Sequence, residues 1–171
     1  IWCAACSSGQ EPFSVAMLVH EHFPALLRGK LRIIATDLSG AILERAREGL
    51  YRQAEINRGL PIVLLTKYFD KQGLYWRVKP YIRHLVEFRQ SNLATTWPPM
   101  PSLDIIFMRH VLIYFGLETK KIILGKVRKT LKSDGYLFLG SSETTLNLDA
   151  AFEPVPVEKT LCYKLRPATA R

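Results

Sequence analysis

The sequence predicts an α/β domain in which a parallel sheet is covered by helices on both faces, and three observations predict it. Apolar runs of strand length alternate along the chain with segments of helical periodicity. The 171 residues, 48% of them hydrophobic, suffice to fill one ordinary core, while 23% charged residues argue against disorder. No internal repeat or low-complexity stretch interrupts the alternation.

Taken in order, residues 1–6 read as a strand. Pro12 to Phe23 reads as a helix with Val15, Leu18, Val19 and Phe23 on its inner side. Leu31 to Thr36 is a second apolar strand that ends at Asp37. Ser39 can cap the next helix, which Gly49 stops after Glu48. Beyond Arg52 the pattern becomes irregular, with a short helix from Pro61 to Tyr68, and the stretch from about Tyr51 to Pro80 is expected to be a small inserted appendage. Gly73 to Pro80 and Leu85 to Arg89 read as strands. Leu103 to Met108 is another buried strand, and Glu118 to Leu131 a helix with Ile123, Leu124, Val127 and Leu131 inward. Ser133-Asp134-Gly135 reads as a turn into Tyr136 to Leu139, and Thr160 to Leu165 as the last strand.

The composition narrows the function classes. The net charge of +9, from 24 basic and 15 acidic side chains, suits nucleic acid, a membrane surface or an acidic protein, and does not choose among them. No Arg-rich run is interleaved with stacking aromatics, so a nucleic-acid partner is not expected. No apolar stretch approaches the roughly 20 residues of a membrane-spanning helix, so no membrane insertion is expected. Cys3 and Cys6 have the spacing of half a metal site, but a second pair and nearby histidines are missing. With Cys162 they read as buried core thiols in a reducing cytoplasm, and no metal is expected. His20, His22 and His84 show no ligand spacing and read as surface residues.

In an open parallel sheet, ligands sit beyond the carboxyl ends of the strands. Four exits carry chemistry: Ser7 to Glu11, Asp37, Asn92, and Arg109-His110. Gly9 lets the backbone pass close to a ligand, and the helix that follows presents unpaired amides. The G-x-G-x-x-G spacing of a dinucleotide site is absent, and Glu11 would repel a phosphate. A cationic amino-acid end near Glu11 and a ribose diol at Asp37 describe S-adenosylmethionine better than NAD. Taken singly, Glu11 also suits a first-turn residue favoured by the helix dipole, and Asp37 a cap.

The segments "IWCAACSSGQEPFSVAMLV", "IIATDLSGAILERAREGLY", "VEFRQSNL", "DIIFMRHVLIYF" and "DGYLFLGSSE" occur in that order, and together they resemble the CheR-type chemotaxis receptor methyltransferases. The resemblance covers nearly the whole chain. It implies a Rossmann-like S-adenosylmethionine-dependent methyltransferase sheet with a small inserted β-subdomain, residues 1–171 forming the catalytic domain with the insert at about 51–80. The implied activity is transfer of a methyl group from S-adenosylmethionine to glutamate side chains on the cytoplasmic domain of chemoreceptors, leaving S-adenosylhomocysteine, in a cytoplasmic monomer. By similarity, Gly9 and Glu11 serve the methionine portion, Asp37 the ribose, and Asn92, Leu93, Arg109 and His110 the adenosine side. Arg109 and Tyr114 match positions near the transfer site, where the structural alternatives are an Arg109 salt bridge to a neighbouring strand and a Tyr114 packed in the core.

Two departures from the family pattern stand out. His110 replaces the asparagine of "RNVLIYF", and the small helical domain that precedes the first strand in the family is not in this chain. The resemblance therefore implies a catalytic domain cut from a longer protein, and leaves a non-catalytic cofactor- or partner-binding signalling domain as the alternative. A nucleic-acid methyltransferase would carry an Asn/Asp-Pro-Pro-aromatic block where "RHVLIYF" stands. In the family the insert is a small antiparallel sheet, whose edge captures a tethering peptide in some members. Here the short turn between Tyr68 and Trp76 favours direct contact with an acidic receptor surface through Lys67, Lys71, Arg77 and Lys79.

Overall fold

The computed structural model describes residues 1–29, 31–158 and 160–167. In chain order the elements are β1 (Trp2–Ala4), α1 (Gln10–His22), β2 (Ile33–Asp37), α2 (Gly40–Glu48), β3 (Leu50–Arg52), α3 (Gln53–Ile56), α4 (Ile62–Tyr68), β4 (Phe69–Gln72), β5 (Tyr75–Val78), α5 (Pro80–Arg83), β6 (Val86–Gln90), β7 (Leu103–Met108), α6 (Leu117–Thr130), β8 (Leu131–Leu139), β9 (Phe152–Val157) and β10 (Thr160–Leu165). They divide into two compact units, Ile1–Ala5 with Ser91–Arg171, and Cys6–Gln90.

In the first unit β7 pairs in parallel with β1 and with β8, as the alternation predicts. The sheet is not wholly parallel, because β10 runs antiparallel to β8 and forms an antiparallel pair with β9. β9 was not expected. Its Pro154 and Pro156 argue against a strand, but residues two apart point the same way, so both missing N–H groups can face an unpaired edge. The expected turn at Ser133-Asp134-Gly135 lies instead within β8. Leu131 already pairs with Leu103, and the register then shifts before Tyr136 meets Ile105, so three exposed residues bulge out. A Cβ on Gly135 would lie 2.7 Å from Leu131 Cδ1 and 3.0 Å from the Asp104 carbonyl, so only glycine fits that bend. α6 buries Ile123, Leu124 and Val127, at about 1.5–3 kcal/mol each.

In the second unit β2 and β6 pair in parallel from Ile33↔Val86 to Asp37↔Gln90. The capping signals act as expected: Ser39 Oγ accepts the Ile42 amide at 3.3 Å, and Gly49 ends α2 at φ 60°. β3, β5 and β4 make a separate three-stranded antiparallel sheet. The inner face of α1 is Pro12, Phe13, Val15, Ala16, Met17 and Val19. Leu18 is 49% exposed because it lies on the opposite side of the helix, and Phe23 is 58% exposed because it follows the last helical residue. His20 is not a simple surface residue either. Its Nδ1 lies 2.9 Å from the hydroxyl of buried Tyr68, whereas His22 and His84 are exposed.

No helix among the described residues is long and apolar enough to cross a membrane.

Candidate functional site

In the second unit, the exit of β2 holds the turn that leads into α1. Asp37 Oδ2 accepts the Ser7 amide at 2.9 Å, and Oδ1 accepts the Ser39 amide at 3.1 Å. The Cys6 amide donates to the Thr36 carbonyl at 2.9 Å, and the buried Tyr51 hydroxyl donates to the Ser8 carbonyl at 2.7 Å. Three of these contacts hold a segment whose Ser7 sits at φ 51° and Gly9 at φ 90°. Left-handed backbone at a serine costs energy and persists only where its surroundings impose it. Gly9 has a packing reason for its identity: an added Cβ would lie 3.1 Å from Ala46 Cβ and 3.3 Å from the Tyr51 hydroxyl.

Asp37 is therefore not only a candidate ligand; it also fastens the Cys6–Gly9 turn. The two roles are compatible, because a carboxylate has about four acceptor positions and the two amides take one on each oxygen. One position per oxygen remains, which fits the two hydroxyls of a ribose. Glu11, half-buried in the first turn of α1, fits the cationic end of an amino acid. Cys6 is no nucleophile: burial first, and the Asp37 charge second, push its thiol up to about 12.

The first unit carries the other candidates. Asn92 Oδ1 accepts the Ala94 amide at 2.9 Å, closing a tight turn that leaves Leu93 buried. The Leu93 carbonyl accepts from Trp97 Nε1 at 3.0 Å and from Lys126 at 3.4 Å, while Trp97 stands edge-on to Trp2 at 4.8 Å. At the exit of β7, Arg109 and His110 are exposed, and a short 3-10 turn over Leu112–Tyr114 buries Leu112 and leaves Tyr114 80% exposed. Tyr114 is thus not packed in a core. An exposed guanidinium and an exposed phenol on one loop can receive a carboxylate.

His110 adopts φ 58°. Asparagine, aspartate and histidine are the side chains that enter this region most readily, so both the family asparagine and this histidine satisfy the same backbone demand. A residue missed in the sequence lies beneath it. Glu143, 9% exposed, accepts the amides of His110, Val111 and Gly140 at 2.7, 2.7 and 2.6 Å, and that of Ile113 at 3.3 Å. The signal for it was the Gly140-Ser141-Ser142-Glu143 run at the exit of β8, the kind of position that singled out the other four.

A cavity of about 580 Å³ in the second unit lies elsewhere. It is walled mainly by apolar residues of α1 and the insert, such as Phe13, Met17, Leu60 and Phe69, and its lining includes neither Glu11 nor Asp37. Among the described residues no group of three or more His, Cys, Asp or Glu side chains could hold a metal ion.

Residues 1–161 match the family described as CheR methyltransferase, SAM-binding domain. The chain belongs to this family. The chain is 43% identical over 170 residues to chemotaxis protein methyltransferase 1 of Pseudomonas aeruginosa, covering 97% of this chain and 62% of that one. It is 41% identical over 170 residues to the chemotaxis protein methyltransferase of Vibrio parahaemolyticus, with the same coverage. The CheR-type domain thus spans about 62% of the length of these curated relatives. Among solved structures, a TehB-like SAM-dependent methyltransferase of Corynebacterium glutamicum aligns with TM-score 0.57 at 10% identity, over 96% of this chain and 79% of that one, a likeness of fold. The α/β class and the Rossmann-like methyltransferase sheet that the sequence predicts stand confirmed, as does S-adenosylmethionine as the cofactor of this CheR-type domain.

Proposed function

We propose that this domain is the catalytic domain, residues 1–171 with its insert at about 51–80, of a protein-glutamate O-methyltransferase acting on the cytoplasmic domain of chemoreceptors. The observation that carries the reading is the family match over residues 1–161, supported by the names of the curated relatives. Asp37 holds the ribose through its two remaining acceptor positions, and Gly9 and Glu11 serve the methionine end. Asn92, Leu93, Arg109 and His110 serve the adenosine side. The protein works in the cytoplasm as a monomer.

When bound, S-adenosylmethionine supplies an electrophilic methyl group: the new O–CH3 bond forms as the C–S bond breaks, giving a glutamyl methyl ester and S-adenosylhomocysteine. A glutamate is already an anion at neutral pH, so the protein need not supply a general base. Its task is alignment, which can be worth about 7–11 kcal/mol of barrier. Arg109 holds one oxygen of the substrate carboxylate and leaves the other to attack, and the Tyr114 hydroxyl directs the nucleophile. Too strong a grip by Arg109 would quench the nucleophile, so its contact must be to one oxygen alone. The histidine at position 110 no longer argues for a non-catalytic domain, because its φ of 58° suits that residue type.

The test is calorimetric titration of the full-length protein with S-adenosylmethionine, followed by transfer of a labelled methyl group to receptor cytoplasmic fragments. Base-labile label on receptor glutamates is the expected result. Cofactor binding without transfer to any receptor fragment would overturn the substrate assignment, and label appearing on nucleic acid instead would overturn the class. Sedimentation at working concentration checks the monomer.

A further inference from the structure

We propose that Glu143 is a positioning residue for methyl transfer, in that its carboxylate fixes the loop that presents Arg109, His110 and Tyr114; the catalytic part of this inference rests on the function proposed above. β7 and β8 pair in parallel as far as Met108↔Leu139, and the ladder then stops. The amides that follow need other acceptors, since a buried backbone N–H left unpaired costs about 1–3 kcal/mol. Glu143 supplies them. Oε2 accepts from His110 at 2.7 Å and Gly140 at 2.6 Å, and Oε1 from Val111 at 2.7 Å and Ile113 at 3.3 Å. The residue is itself anchored, for its own amide donates to the Gly140 carbonyl at 2.9 Å.

Only a carboxylate serves this arrangement, because its two oxygens offer four acceptor positions to four donors. A glutamine would replace one oxygen by an NH2 group facing two N–H donors. A Cβ at Gly140 would lie 2.7 Å from Glu143 Oε2 and 2.8 Å from His110 Nδ1, so the glycine keeps open the space the carboxylate and the histidine share. The result is a loop whose backbone is bound at residues 110, 111 and 113 while Arg109 and Tyr114 face solvent. Rigid backbone under exposed reactive side chains is what alignment of two reactants requires.

Two measurements on the full-length protein decide it. Native-state hydrogen exchange on the wild type should show the His110, Val111 and Gly140 amides protected to the level of the β7 amides; exchange at the rate of an open loop would overturn the anchoring. Glu143→Gln should lower protection at those amides at least tenfold with β7 unaffected. It should also lower kcat at least tenfold and weaken S-adenosylmethionine binding, because Arg109 and His110 stand on the loop that the carboxylate holds. A folded variant with unchanged kcat would overturn the positioning role, and should the variant not fold, the wild-type exchange rates decide the anchoring. If the wild type neither binds cofactor nor transfers methyl, the functional reading falls and the exchange result still stands by itself.

Discussion

Asp37 and Ser7 are joined by a hydrogen bond of 2.9 Å from the Ser7 amide to Oδ2, and this bond binds the turn before α1 to the end of β2. Asp37→Ala therefore removes two backbone partners together with the proposed ribose contact. The expected loss of S-adenosylmethionine affinity is about 1.5–3 kcal/mol, the range for hydrogen bonds to a charged group. Calorimetry beside a denaturant titration separates the effects. Unchanged affinity in a folded variant would remove Asp37 from the site.

Tyr51→Phe tests the same turn from its other side. The phenol donates to the Ser8 carbonyl at 2.7 Å in a buried setting, so its removal leaves that carbonyl unpaired at a cost of about 1–3 kcal/mol. Urea unfolding should show the loss. A variant as stable as the parent would mean that solvent reaches Ser8.

His110→Asn should be neutral or stabilising by at most about 1 kcal/mol, because asparagine tolerates φ 58° at least as well as histidine. Cofactor affinity should hold or tighten. A tenfold weakening would show the imidazole itself to be a ligand.

Acid should destabilise the fold through three carboxylates. Lys67, then the Tyr68 hydroxyl, holds Glu21 below its ordinary 4.5; Arg89, then Arg32, does the same for Glu87; Lys132 holds Asp104 below 3.8. A carboxyl whose pKa is lower in the folded state adds stability above its unfolded value, and that stability is lost as pH falls through the folded value. Lys67 and Lys132 are raised above 10.5 by the same pairs, so their share is present below that pH and lost above it. The triple variant Glu21→Gln, Glu87→Gln, Asp104→Asn should show a flatter stability profile below pH 4.5, measured by urea midpoints. An unaltered acid slope would assign acid unfolding to other groups.

The insert offers fewer free cations than its composition implies. Lys67 lies 2.7 Å from Glu21, and Lys79 lies 4.0 Å from Asp70. Lys71 is exposed with its ammonium 5.7 Å over the Trp76 ring, and Arg77 donates to the Glu48 carbonyl at 3.3 Å. If the insert meets an acidic receptor surface, Lys71→Glu with Arg77→Glu should raise KM for receptor threefold or more at low salt and leave cofactor affinity alone. The effect should fade above about 0.1 M salt, where the screening length is about 10 Å. Kinetics indifferent to both changes would leave the insert a structural role only.

Local chemistry was legible in the sequence. Ser39 and Gly49 act within one helical turn of where they stand, and Asp37 and Arg109 do stand at the ends of β2 and β7 where the sequence puts them. What escaped depends on distant partners. Glu143 gathers amides that lie about thirty residues upstream, and β9 is a strand only because β10 returns beside it despite Pro154 and Pro156. Leu18 looked inward because its spacing of three from Val15 is helical, yet Phe13, Ala16 and Met17 set the true face. Leu131 was read as helical because its spacing from Val127 is right, and its pairing with Leu103 decides otherwise.

The three cysteines are all buried and none is in a disulfide: Cys3 in β1, Cys162 in β10, and Cys6 in the turn beyond β1. An alkylating reagent can reach them only during transient opening, so its rate of incorporation is a clock for breathing motions. Cys3 and Cys162 report on one compact unit and Cys6 on the other. Peptide mapping of a pulse of label would thus time the two halves of the molecule separately, without a single introduced probe.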